Sequence, residues 1–143
     1  MELMLTASRI LHVILAAAWF GHKILIPRDI RYSVASDDLF AALRGRMATA
    51  QRLGIAAGLG TLLSGVGLIL LTTGFADAPM NIYAGFAIAI TMFLVGAFMA
   101  RPAWKRLAAA ENRADRVGAV KGFTRTLALE NLLWVLALAA MLS

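Results

Sequence analysis

Four long, predominantly apolar runs decide most of what this chain can become. They occupy residues about 3–26, 53–73, 81–100 and 122–142 of a 143-residue sequence. Helical residues rise about 1.5 Å each, so each run is long enough to cross a hydrocarbon layer of about 30 Å. Inside lipid no water satisfies exposed N–H and C=O groups, so a spanning segment must be a helix or part of a closed barrel. Barrel strands alternate apolar with polar residues, and that alternation is absent from these runs. The expected fold is therefore all-α: an integral-membrane four-helix bundle forming one transmembrane domain over residues 1–143. Pro27, Gly74 and the pair Arg101-Pro102 read as the ends of the first three helices.

Composition agrees, with 61% apolar and 15% charged residues and a mean hydropathy of +0.78. The absence of cysteine excludes disulfides, iron–sulfur clusters, thiolate zinc sites and thioether haem attachment. A net charge of +6 without a basic face on a soluble fold does not point to nucleic acid. The basic residues fall in two groups instead. Lys23, Arg28, Arg31, Arg44, Arg46 and Arg52 flank the first connection; Arg101, Lys105, Arg106, Arg113, Arg116, Lys121 and Arg125 flank the third. Positive residues stay in the cytoplasm, which puts both termini outside and both long connections inside, against the lipid bilayer of a bacterial-type inner membrane. Ala16-Ala17-Ala18 mimics a cleavage site, but the positive cluster follows the first run instead of preceding it, so this helix is expected to be retained.

The cytoplasmic connections carry amphipathic helical patterns. Ser36-Asp37-Asp38 forms a cap signal, and Leu39 to Arg44 continues from it toward the second span. Ala103 to Glu111 reads the same way after the third span, with Trp104 expected at headgroup depth.

Polar groups within the spans hold the functional signal, because an ionisable side chain in lipid persists only with a partner or a purpose. Counting from the outer boundary puts His12, Met92, Glu130 and Asn131 at about 14–17 Å depth, with Thr61, Ser64 and Thr91 at similar levels. One polar layer near the midplane follows from this count. Imidazole is a natural axial ligand of haem iron, a carboxylate or amide orients its second nitrogen, and a thioether completes the coordination. His12 is the candidate metal ligand, Glu130 or Asn131 the orienting group and Met92 the second ligand. The plain alternative is that His12 and Glu130 satisfy one another and fix helix register. His22, beside Lys23 near the cytoplasmic interface, reads as a solvated, snorkelling residue, with a quinone or second-haem contact as a minor alternative. Gly54, Gly58, Gly60, Gly65 and Gly67 give the second span a bare surface for another helix or for a macrocycle, with Gly58 and Gly65 the candidate ring contacts. Arg9 is placed to snorkel outward or to meet a propionate.

Leu11-His12, Trp19-Phe20-Gly21 seven residues after the histidine, then Arg28 and Tyr32, resembles the opening helix of the HemJ-type protoporphyrinogen oxidases. The shorter His, Trp, Gly pattern is similar to CopD-like copper-resistance membrane domains. Looser matches are Arg52-Leu53, the basic stretch after the third span and Glu130-Asn131. The resemblance implies a four-helix bundle binding haem b through His12 and serving electron transfer or porphyrin oxidation. The HemJ type carries a lysine near the start of its third helix where this chain has Ile82-Tyr83-Ala84-Gly85-Phe86, a departure that argues against protoporphyrinogen oxidation itself. Two other classes stand beside the haem reading. One is a non-catalytic accessory subunit or assembly factor docked in a larger membrane complex or homo-oligomer; the weaker one is copper handling.

Overall fold

The computed structural model describes residues 2–142; Met1 and Ser143, the ends of the expected domain, lie outside the described residues. Helix α1 covers Glu2–Ile24 and α2 Ile26–Ser33; α3 covers Asp37–Thr72 and α4 Met80–Val95; a π-helical turn, Gly96–Ala100, leads into α5, Arg101–Ala108, and α6 covers Arg113–Leu142. Joined end to end they form four helical rods long and apolar enough to cross a membrane, Glu2–Ser33, Asp37–Thr72, Met80–Ala108 and Arg113–Leu142. The four-span expectation and a multi-pass membrane protein are thereby supported at the level of fold. Residues such as Leu11, Val13, Leu63, Leu70, Phe98, Leu132 and Val135 are exposed on the outer faces, as lipid-facing side chains would be.

Every rod outlasts its apolar run: the first and third because Pro27 and Pro102 do not end a helix, the second and fourth because α3 starts at Asp37 and α6 at Arg113, ahead of their runs. Pro27 sits in the first turn of α2, where the missing N–H would have no helical acceptor anyway, and Arg28 and Asp29 donate to the Leu25 carbonyl. The chain bends there and continues. Pro102 likewise occupies the first turn of α5. Immediately before it the π-helical turn shifts the hydrogen-bond pattern, with the Arg101 N–H reaching the Gly96 carbonyl. Ser36 caps α3 as its sequence implied, its hydroxyl accepting from the Leu39 N–H at 3.5 Å, with Asp37 and Asp38 at the positive helix end. Thirty-six residues make α3 about 54 Å long, well beyond a hydrocarbon layer. Gly74, at φ +70°, turns the chain and donates to the Ile69 carbonyl at 2.8 Å. Asn112 caps α6, accepting the Asp115 N–H at 2.9 Å.

The extensions of the rods build a second core past the apolar spans. Ile30, Phe40, Leu43, Trp104, Leu107 and Phe123 are among its buried members. Trp104 is thus not an interfacial anchor: it is 7% exposed and stands 5.5 Å from the Phe123 ring. Amphipathic helices that could have lain on headgroups pack on one another instead, burying that apolar area together. Arg116 ties the two long connections, its guanidinium 2.6 Å from Asp37 and over the Phe40 ring at 4.5 Å.

Candidate functional site

The register of α1 on α3 follows from side chains on one helix entering gaps on the other. A Cβ at Gly65 would lie 3.3 Å from His12, at Gly60 3.1 Å from Leu15, at Gly58 2.9 Å from Trp19 and at Gly54 2.7 Å from His22. The pairs run antiparallel down the whole interface. The bare face of α3 is therefore filled by α1, and Gly58 and Gly65 are packing positions here in place of the expected ring contacts. Close backbone approach is what small residues permit in membrane bundles.

Both histidines are anchored through Nδ1. The single Ser64 hydroxyl proton goes to the Thr61 carbonyl at 3.1 Å, so Ser64 Oγ accepts from His12 Nδ1–H at 2.9 Å. The Ala18 carbonyl can only accept, so His22 Nδ1–H donates to it at 3.1 Å. In the neutral ring each Nε2 then keeps its lone pair, the arrangement that presets an imidazole as a ligand or acceptor.

Of the two histidines, His22 lines a cleft. A cleft of about 590 Å³, within the range of small-molecule sites, is lined by His22 and not by His12. Trp19, Met92 and Phe93 supply apolar wall at its deep end, with Phe123 and Leu127 along α6. Arg52 and Arg101, both exposed, contribute the polar side together with Gln51. Between these zones stands an ion pair, Lys23 Nζ to Glu130 Oε1 at 2.9 Å, with side-chain exposures of 14% and 1%. It lies against Gly96 at the start of the π-helical turn, where a Cβ would come within 2.7 Å of Glu130 Oε1. Lys23 also approaches the Trp19 ring at 5.6 Å. Glu130 Oε2 is buried and has no hydrogen-bond partner.

The expected single polar layer is two layers. Lys23 and His12 are eleven residues apart on one helix, about 16 Å. Lys23 meets Glu130, and Phe20 stacks on Trp134 at 4.0 Å between centroids, so the same register sets His12 level with the far end of α6. The depth count erred by giving every span a common outer boundary, when α1 begins beyond the end of α6. His12 and Glu130 are consequently not partners. Met92 is 3% exposed and packs with Trp19 and Ala57, and Asn131 stands beside Trp134 with its buried Oδ1 unpaired. Arg9 is exposed near the start of α1. The set His12, Met92, Glu130, Asn131, Gly58, Gly65 and Arg9 does not converge on one cavity.

The sequence reading gave His22 only a quinone or second-haem contact as a minor alternative, and it gave Lys23, Arg52 and Arg101 no part in a site. A signal for the ion pair was available: Lys23 and Glu130 are opposite charges in apolar runs, each within about 12 Å of the basic end of its own run. Among the described residues no three His, Asp or Glu side chains gather as a metal-binding group. No protein-family model matches the chain, and no curated protein or solved structure matches it.

Proposed function

We propose that the cleft beside His22 is the working site of this membrane protein and that it binds haem b or a closely related porphyrin for electron transfer or porphyrin oxidation. The observation that carries the reading is the lining: an imidazole anchored through Nδ1, two arginines at the polar side and an aromatic, thioether-bearing floor line one half-open cleft of about 590 Å³. An amphiphile with an apolar ring and carboxylate arms needs that distribution of groups. Arg52 and Arg101 suit the carboxylates of such a group; His22 lines the cleft, but its Nε2 packs 2.7 Å from the Cβ position of Gly54 and would have to turn away from α3 to take a ligand, whereas His12, held by Ser64 against Gly65, lies outside the cleft.

In this reading His22 Nε2 would hold the iron and the Ala18 carbonyl would keep the ring in the required tautomer. The guanidinium groups of Arg52 and Arg101 would pair with the carboxylates, and Trp19, Met92 and Phe93 would exclude water from the ring. The bound group supplies one-electron chemistry. The topology that accompanies the proposal has both termini outside and the basic connections, with the mouth of the cleft, on the cytoplasmic side of an inner membrane.

Protein purified in mild detergent after haem supplementation tests this. A Soret band that survives His12→Ala and disappears in His22→Ala supports the proposal. A band lost in His12→Ala and kept in His22→Ala overturns it. Colourless protein that co-purifies with a larger assembly favours the accessory-subunit class, and copper retained in stoichiometric amount without haem favours copper handling.

A further inference from the structure

We propose that the cleft is open sideways to the bilayer between α3 and the α4–α5 rod, and that it seats an anionic phospholipid of the leaflet that meets the basic connections, with the phosphate on Arg52 and Arg101 and one acyl chain inside. Nothing in this assignment requires a porphyrin. A ring with carboxylate arms would use the same two arginines, so the two ligands exclude one another.

The opening follows from how the rods pair. α1 packs along α3, and α4 along α6, whereas α3 and α4 share only a short contact. They come close at Gly58, whose Cβ position lies 3.3 Å from Phe93. Toward the basic ends of the rods the second core begins, with Met47 and Ala100 among its members at the margin of the cleft. Between that contact and that core the cleft lies open. Its exposed edges are Ala48, Arg52 and Ile55, successive turns of one α3 stripe, and Ala97 and Arg101, one turn apart on the other rod.

The two arginines stand at one level. Arg52 is six residues from Gly58, about 9 Å, and Arg101 is eight residues from Phe93, about 12 Å. Each also adjoins the end of an apolar run, 53–73 for Arg52 and 81–100 for Arg101, so their common level is the edge of the hydrocarbon layer. Phospholipid phosphates stand at that edge. Basic pockets between spanning helices bind anionic headgroups, and a guanidinium pairs with two phosphate oxygens at once.

Neither charge is already spent. The ion pairs among the described residues are Lys23 with Glu130 and Arg116 with Asp37, which leaves Arg52 and Arg101 without a carboxylate partner. Lys23 and Glu130 line the same cleft but neutralise one another. Deeper in, Trp19, Met92, Phe93 and Leu127 offer apolar wall to a hydrocarbon chain. A small soluble anion would engage the arginines and leave that wall uncovered, so the lining selects a lipid over free phosphate.

Trp19 reads the occupant, because it is 3% exposed and stands in the deep wall, beyond the reach of chains outside the opening. Full-length Trp104→Phe/Trp134→Phe protein is reconstituted in phosphatidylcholine vesicles that contain a minor fraction of phosphatidylglycerol brominated on its acyl chains, since bromine quenches an indole it touches. Trp19 emission is expected to fall saturably as that fraction rises, and to respond far less to brominated phosphatidylcholine at the same fraction. Adding Arg52→Gln and Arg101→Gln, at two exposed positions, is expected to leave circular dichroism and thermal melting unchanged and to lower the preference for phosphatidylglycerol about thirtyfold. Equal quenching of the parent protein by the two brominated lipids overturns the assignment, as does an undiminished preference in the folded arginine variant. Relief of the quenching by low-millimolar inorganic phosphate would assign the arginines to a free anion and overturn it as well. The porphyrin reading is tested separately, by the Soret band in lipid-free detergent.

Discussion

Replacing Lys23 by Met would leave a carboxylate that is 1% exposed with neither oxygen paired. Breaking a buried ion pair by removing one partner costs about 3–5 kcal/mol, because the surviving charge stays buried. Lys23 is itself 14% exposed, so water reaches part of the site and the lower end applies. About 3 kcal/mol is expected, a shift of roughly a hundredfold in the folding equilibrium. The methionine stem still packs near Trp19, so packing loss contributes little. Reversible unfolding in mixed micelles, followed by far-ultraviolet circular dichroism, measures the change. The double variant Lys23→Met with Glu130→Gln removes both charges and is expected to recover most of the loss, since the cost lies in the orphaned charge and not in the missing contact. A single variant within about 0.5 kcal/mol of wild type, or a double variant as unstable as the single, would refute the reasoning.

Gly58→Val should weaken the α1–α3 contact by about 1–3 kcal/mol, because its Cβ position is 2.9 Å from Trp19 and 3.3 Å from Phe93. Gly67→Ala meets nothing within 4 Å and should be neutral or stabilising by the same micelle titration. Arg116→Ala removes a largely buried guanidinium that joins Asp37 to the Phe40 face, and limited proteolysis should open the connection around residue 35 at lower protease concentration. Asp37→Ala, at a carboxylate 88% exposed, should shift stability by less than about 1 kcal/mol. In a chain that has no native cysteine, Asp77→Cys should react with an impermeant thiol reagent applied outside the inner membrane, and Arg113→Cys should not. The opposite labelling would invert the proposed topology.

The spans were readable because apolar run length is a direct consequence of bilayer thickness, and Ser36-Asp37-Asp38 announced the true start of α3 through its capping chemistry. Pro27 and Pro102 misled because a proline in a first helical turn is compatible with continuation after a bend or a π-helical turn, and local sequence does not distinguish that from a stop. Trp104 was placed at headgroups because amphipathicity reports an apolar face without saying what covers it. The site was the least legible part. Residue spacing along α1 separates His12 from His22, but which of them meets a cavity depends on the offset of α1 against α6, a tertiary quantity set by contacts such as Phe20 on Trp134 and Lys23 on Glu130. Gly54 and Gly58 were visible as a bare face, yet only the packed structure says that His22 and Trp19 fill it.

Trp19 stands in the wall of the cleft, which makes it an internal probe of what enters there. Haemin titrated into detergent-solubilised Trp104→Phe/Trp134→Phe protein should quench the remaining Trp19 emission saturably at one equivalent per chain, in step with a rising Soret band, and His22→Ala should abolish the saturable phase. Quenching that never saturates, or that is identical in His22→Ala protein, would contradict the assignment of this cleft as the binding site.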